Sequence, residues 1–560
     1  MTDIRFSLHG HFYQPPREDP VSGRMAIETS AAPFHDWNER ITAECYRPNA
    51  WARITDDREL IVSIVNNFEL MSFDLAPTLA RWMAANAPDV LERIIDADRR
   101  AGTAIAHPFH HVILPFADER DRRTELRWGR AEFVHRFGRE PTGVWLPETA
   151  MDSDTIATVA AEGLGFTIAL PHQVTGGQPL VAEHRGCRIV VADDVLSRRL
   201  AFGVFGGSAD AVVDGAAQSA AARGHAIATT DGETFGHHHK YTERTIAYAL
   251  GVEAPRRGWK VGRLDDLVAE TRRIDVGVAP SAWSCAHGLE RWRSDCGCRN
   301  GEFGNLDQRW RAPLRHGLEA VRAIAASVFV ERGAEVFRNP WAARDDYATV
   351  LCDPERTEAY LGAHLRPGAS AEVALALLES QRHALGMFTS CAWFFDDIGR
   401  LESRIALRIA AECLNQLDHL GAGAAASTAR SAMELHLSRT QSHDPAIGSG
   451  SAIWRTVLTT DADTTPVVRR TVDVSVLERA LLTRAHDDID RAIRWAPELT
   501  VERRDRAQEV LHDALVVGDP DDDSLDNLCA TLGLASGQIR RRTAADARDV
   551  SRLRRAGAGR

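Results

Sequence analysis

The sequence predicts an α/β protein: a parallel β/α barrel, in a closed or distorted form, with an α-helical domain after it. Three observations lead there. Up to about residue 270 the chain repeats one unit, a short apolar run, a loop bearing acids or histidines, then a stretch of helical spacing, the pattern of parallel strands joined by crossover helices. The chemistry-bearing side chains stand at the ends of the apolar runs, where such barrels carry their sites. From Leu314 onward, apolar residues recur at helical spacing instead.

A chain of 560 residues is too long for one core and predicts two or three domains. We expect a catalytic barrel over 1–275, a substrate loop and helical domain over 276–425, and a mainly helical C-terminal extension over 426–560. A formal net charge of −12 argues against nucleic acid as a partner, which needs a concentrated basic face. Lys240 and Lys260 are the only lysines. No GxxxxGK[ST] phosphate loop is present, and Schiff-base chemistry has only those two candidates. The N-terminus lacks a basic region followed by an apolar run, and no stretch of about 18 apolar residues spans a membrane. Nine scattered cysteines read as reduced thiols, so the expected location is the cytoplasm. No cofactor is expected.

Ile4–His9 alternates and breaks at Gly10, a first strand that delivers His9 and His11 into a loop. Leu60–Asn66 (LIVSIVN) has the near-continuous apolar character of a strand buried on both faces. Pro77–Arg100 is helical by spacing and Gly102 stops it. A short strand from Ala104 runs into His107, His110 and His111, which suit metal ligation, substrate contact or packing as imidazoles. Thr124–Phe137 is helical, and the apolar run before Glu148 ends where a strand stops. A helix over Ser153–Gly163 and a strand over Phe166–Leu170 follow. Arg188–Asp193 and Arg199–Val204 alternate like a hairpin or further strands. Asp210–Arg223 is helical, and His225–Thr230 is a buried strand ending in Asp231.

Beyond Pro280, tryptophans, cysteines and a histidine crowd between Trp283 and Cys298 with little periodicity, which marks a long structured loop. Cys285-x-His287 with Cys296-x-Cys298 offers four soft ligands, but the spacing matches no standard zinc knuckle, and no metal is assigned from it. Leu314–Arg332, Ala371–Phe388 and Leu401–Leu420 are helical, Gly421–Ser427 (GAGAAAS) reads as a linker, and amphipathic stretches follow at Val476–Trp495, Val501–Val516 and Leu525–Leu532.

Two acids at the ends of different strands, Glu148 and Asp231, are what cleavage of a glycosidic bond requires. One carboxylate attacks or stabilises the anomeric carbon while the other, kept protonated, gives its proton to the leaving oxygen. Strand ends of one barrel share a face, so residues far apart in sequence converge. Trp145, Trp283 and Trp292 offer flat faces to sugar rings. Spacing alone stops at an enzyme of carbohydrate or another small polar substrate.

HGHFYQPP at His9–Pro16, HHVILP at His110–Pro115, VWLPETA at Val144–Ala150, TTDGETFGHHH at Thr229–His239 and SAWSCAHGLERW at Ser281–Trp292 resemble, in order and character, the signature segments of glycoside hydrolase family 57. The resemblance implies a distorted (β/α)7 barrel followed by an α-helical domain, acting on α-glucans with retention of configuration. It implies Glu148 as nucleophile and Asp231 as acid/base, with His9, His11 and His111 at the glycone subsite and His237 facing sugar. Trp283 would join an aromatic platform, and the helical domain would lend Trp393 and Asp396 or Asp397 to the cleft. Hydrolases, branching enzymes and 4-α-glucanotransferases share the family, and the motifs leave that choice open. Two other readings stay in view: a metal-dependent carbohydrate enzyme on a related barrel, such as an α-mannosidase or deacetylase, and a glucan-binding protein without catalysis.

Overall fold

The computed structural model describes residues 4–56, 58, 60–221, 223–301 and 307–459. At its centre runs the strand Arg5–Phe12, buried along nearly its whole length. It pairs in parallel with His225–Asp231 on one side and Ser72–Leu75 on the other, so His11 stands opposite both Asp231 and Asp74. Ala104–Ile105 extends the sheet beside Ser72–Leu75. Parallel bridges Ala106–Val144 and Gly143–Phe166 carry it through residues 143–145 to Phe166–Ala169, which pairs in parallel with Cys187–Val191. The Asp193 amide then donates to the Ile227 carbonyl at 2.7 Å, bringing the last stave back against His225–Asp231. Seven parallel staves thus close a ring among the described residues, distorted because some are reduced to a bridge or two.

Several local expectations change. LIVSIVN is no barrel stave: Ile61–Val65 pairs antiparallel with Ala52–Thr55 in an outer hairpin, with Val62 57% exposed. The true stave, Ser72–Leu75, is short and contains an acid, so its apolar signal is weak while the β-branched hairpin mimics a buried strand. The predicted helix over Pro77–Arg100 is two helices, Pro77–Asn86 and Pro88–Ala101. Pro88 breaks it, since the residue before a proline is pushed out of helical geometry. Gly102, with φ at +64°, does end the second helix. Arg199–Val204 is not strand. The Asp193 side chain caps the Leu196 amide and starts the helix Asp194–Ala201, while Cys187–Val191 forms a hairpin with Val181–His184.

The second apolar core lies among helices Arg311–Val336, Ala371–Gly386, Leu401–His419 and Gly423–Leu437. The expected linker GAGAAAS is mostly the start of the last of these, because a run of alanines with few polar residues favours helix. Small residues let this helix come close: a Cβ on Gly317 would meet Met433 Sδ at 2.5 Å. Barrel and helices lock at a buried ion pair, Arg344 Nη1 to Asp121 Oδ1 at 2.8 Å. The Trp128 indole also donates to the Arg344 carbonyl at 2.8 Å. Among the described residues no helix is long and apolar enough to cross a membrane. The amphipathic stretches expected after residue 475 lie outside the described residues.

The helix Glu119–Phe137 sets the histidine loop at its height in the barrel. It does so through Gly129, where a Cβ would stand 2.0 Å from the His107 carbonyl oxygen. Gly129→Ala is expected to destabilise by about 1–3 kcal/mol through overpacking against backbone. Denaturant unfolding tests this, and an unchanged midpoint would show that the contact carries no constraint.

Candidate active site

The turn that carries Glu148 is held in an unfavourable conformation. Glu148 and Thr149 have φ of +59° and +49°, a region that costs an L-residue roughly 1–2 kcal/mol. Three contacts enforce it. The Trp283 amide donates to the Glu148 carbonyl at 3.0 Å, Met151 and Ser281 exchange backbone hydrogen bonds, and the Gln173 amide group donates to the Thr149 carbonyl at 2.7 Å. On this turn the carboxylate of Glu148 accepts two hydrogen bonds at Oε2, from Trp283 Nε1 at 3.0 Å and Ser284 Oγ at 2.5 Å. Trp283, expected to join an aromatic platform, has its indole N–H committed to this carboxylate.

Asp231 ends its strand opposite His11. Next to it, Gly232 leaves room for the Phe12 ring, which an added Cβ would meet at 2.3 Å. One side of Asp231 is open to solvent, yet protein surrounds it at depth. Poor solvation, then the charges of Glu233, Glu148 and Asp74, push its carboxyl well above the usual range. Glu148 and Asp231 are therefore within electrostatic reach of each other. Glu233, whose own carboxyl burial raises to about 7, accepts a 2.5 Å hydrogen bond from the Tyr46 hydroxyl.

Asp74, fully buried on the adjacent stave, organises the histidines. His9 Nε2 lies 3.1 Å and His11 Nδ1 2.9 Å from its carboxylate. His11 Nε2 meets His111 Nε2 at 3.1 Å, and His111 Nδ1 meets Ser390 Oγ of the helical domain at 2.6 Å. One assignment satisfies the chain: Ser390 donates to His111, His111 to His11, and His11 to Asp74, with both imidazoles neutral. Burial favours that state, lowering His11 to about 3 and His111 well below its ordinary value. Tyr13 stacks on His111 at 3.8 Å. Trp145 lies beneath, fully buried, 5.0 Å from both His9 and His11, so it backs the histidines and offers no open face.

Other expected site residues are committed to partners of their own. His237 pairs with Glu44 at 2.6 Å and edges onto Trp37. Trp292 and Trp393 are fully buried in the helical core, and the Trp393 indole donates to the Arg311 carbonyl at 3.0 Å. Asp396 and Asp397 are buried as loop fasteners rather than cleft acids. Asp396 accepts from the Asn300 and Gly301 amides, and Asp397 from Ser442 Oγ and the Gly399 and His443 amides. The apolar WFF run and its paired acids signal burial as readily as a cleft. Asp74, Ser284 and Ser390 were missed, since each is a single polar residue whose partner comes from a distant segment. A cavity of about 1040 Å³ lies beside Glu18, Arg81, His110 and Arg382 and is lined by neither Glu148 nor Asp231.

His107, lowered to about 4 from 6.5 by burial, gives a signed prediction. Between those values the unfolded chain binds the proton and the folded chain does not, so this contribution is full above pH 6.5 and is lost as pH falls towards 4. His107→Gln should therefore flatten the acid limb of the unfolding midpoint over that window. An acid limb as steep as the parent's would contradict a buried neutral imidazole.

Residues 29–254 match the profile described as glycosyl hydrolase family 57, and residues 307–484 match a domain of unknown function, DUF3536. Alpha-amylase 1 of Dictyoglomus thermophilum is 24% identical over 91 residues, 16% of this chain and 13% of that protein. The chain thus spans a small part of that relative. The fold is similar to that of an exo-type maltose-forming amylase from Pyrococcus sp. ST04, with a TM-score of 0.59 and 14% identity over 82% of this chain and 89% of the other. Residues 29–254 thus carry a domain similar to glycosyl hydrolase family 57, in keeping with the ring of seven staves, and a region that matches DUF3536 follows it.

Proposed function

We propose that the protein is a retaining glycoside hydrolase or transglycosylase acting on α-glucans by double displacement, with Glu148 as nucleophile and Asp231 as acid/base. The observation that carries this reading is the opposite treatment of the two acids. Glu148 Oε2 receives two donors, which fix the carboxylate in place and leave Oε1 for the anomeric carbon. Desolvation, then the neighbouring carboxylates, push Asp231 towards keeping its proton.

In the first step, Glu148 forms a bond to the anomeric carbon while the Asp231 proton passes to the departing glycosidic oxygen. In the second, the Asp231 carboxylate takes a proton from water or a sugar hydroxyl, which attacks and releases Glu148. Water gives hydrolysis and a hydroxyl gives transfer. The ring nitrogens of His9, His11 and His111 are taken up by Ser72, Asp74, Ser390 and one another, so these buried imidazoles brace the floor of the site, beside which Tyr13 and Trp283 are only partly buried. The amylase activities in the names of the similar proteins point to α-glucan.

A second reading, a metal-dependent carbohydrate enzyme, is favoured by one observation: ligand nitrogens of His11, His107 and His111 lie within 4.8 Å of one another. It expects His107→Gln to lose a bound divalent ion together with activity. Unchanged metal content in that variant excludes it.

Asp231→Asn is expected to lower kcat roughly 10²–10⁴-fold on maltooligosaccharides. Glu148→Ala should abolish turnover, with partial rescue by azide as a glycosyl azide of inverted configuration, since azide then takes the nucleophile's place and only one displacement occurs. Parent-like kinetics in Glu148→Ala would overturn the assignment. Separating products by size decides between transfer, which gives longer chains, and hydrolysis, which gives only shorter ones. Binding of glycogen without any product would favour a non-catalytic protein.

A further inference from the structure

The loop that holds Glu148 continues directly into a second cluster. Cys285 follows Ser284, and Cys285, His287, Cys296 and Cys298 each place one ligand atom within 4.8 Å of all the others. Cys298 Sγ lies 3.9 Å from Cys285 Sγ and 3.5 Å from His287 Nδ1. A tetrahedral zinc ion with ordinary bond lengths has S–S edges of roughly 3.8 Å and S–N edges of roughly 3.6 Å. These two distances match the edges of a site shaped for the ion.

Two tight turns build it. Gly288, with φ at +78°, closes Cys285–Gly288 so tightly that an added Cβ would meet the Pro280 carbonyl oxygen at 2.8 Å. Gly297, with φ at +83°, folds Cys296 and Cys298 towards the same point. The charge balance also fits. Three thiolates and a neutral imidazole around a divalent cation leave one net negative charge, and the buried Arg311 guanidinium lies 3.9 Å from Cys296 Sγ. Arg291 bridges the loop, donating to the Ser284 carbonyl at 2.8 Å and to Asn300 Oδ1 at 2.6 Å.

We infer that Cys285, His287, Cys296 and Cys298 form a structural zinc site that fastens both ends of the substrate loop and so fixes Trp283 and Ser284 on Glu148. With four protein ligands the shell is closed, so the ion has no open position for substrate and acts through loop geometry. The influence on Glu148 rests on the function proposed above; the zinc site itself does not.

The test uses the full chain, purified from zinc-supplemented cells. Elemental analysis should find stoichiometric zinc that Cys296→Ser/Cys298→Ser loses and Cys352→Ser, a cysteine outside the cluster, retains. Cobalt substitution should give the intense visible bands and thiolate charge-transfer absorption of a tetrahedral sulfur-rich site. Should the double variant fail to fold, metal content and the cobalt spectrum of the parent protein still decide. Removing the zinc is expected to lower kcat about tenfold or more while KM changes little. Zinc bound with kcat unaffected would overturn the link to Glu148 and leave the site standing. A folded chain without stoichiometric zinc, with these thiols freely reactive or joined as a disulfide, would overturn the site.

Discussion

The two hydrogen bonds from Trp283 and Ser284 to one oxygen of Glu148 are the constraint on which the site depends. Hydrogen bonds to a charged group contribute about 1.5–3 kcal/mol each, enough to offset the backbone strain of a turn with two consecutive positive φ angles. Strain of this kind survives only where surrounding structure over-determines it. Here the Thr149 carbonyl, the Met151 backbone and both polar groups of the 283–284 loop do so. The acid is aimed by a loop far away in sequence, and that loop is seated on the helical domain through Arg291, which also donates to the Phe394 carbonyl.

The barrel supplies a different kind of control. Parallel register puts His11 opposite both Asp231 and Asp74, so an acid, a histidine and a second acid lie side by side across three strands. Asp74 is committed to the histidines, which leaves Asp231 as the one with an open face. The protein around it, then the charges of Glu233 and Glu148, push its carboxyl above the usual range, in keeping with the acid/base role proposed for it. The helical domain completes the arrangement from outside through Ser390, so neither region makes the site alone.

Much of this could be read from the residues. The motif segments singled out Glu148, Asp231, His9, His11, His111 and Trp283 as candidates because each motif is short, contiguous and rich in side chains with few structural uses. The barrel class was visible in the alternation of apolar runs and helical stretches. What the sequence concealed shares one cause: it depends on pairing between distant segments. LIVSIVN looks more strand-like than SFDL, yet the weaker segment is the one that pairs with Arg5–Phe12 and so brings Asp74 to the histidines. Trp393, Asp396 and Asp397 resemble cleft residues until the loop at Asn300 and the turn at Ser442 take their polar atoms. Ser284 carries no sequence signal at all, and its role appears only when the loop lies across Glu148.

The most direct measurement is to trap the covalent intermediate. A 5-fluoro-α-glycosyl fluoride, whose ring fluorine slows breakdown of a glycosyl-enzyme, would be incubated with the protein, and the digested chain analysed by mass spectrometry. A glycosyl adduct on the peptide containing Glu148 is the expected result. An adduct on another residue would contradict the assignment of the nucleophile, and turnover with inverted configuration and no adduct would contradict double displacement itself.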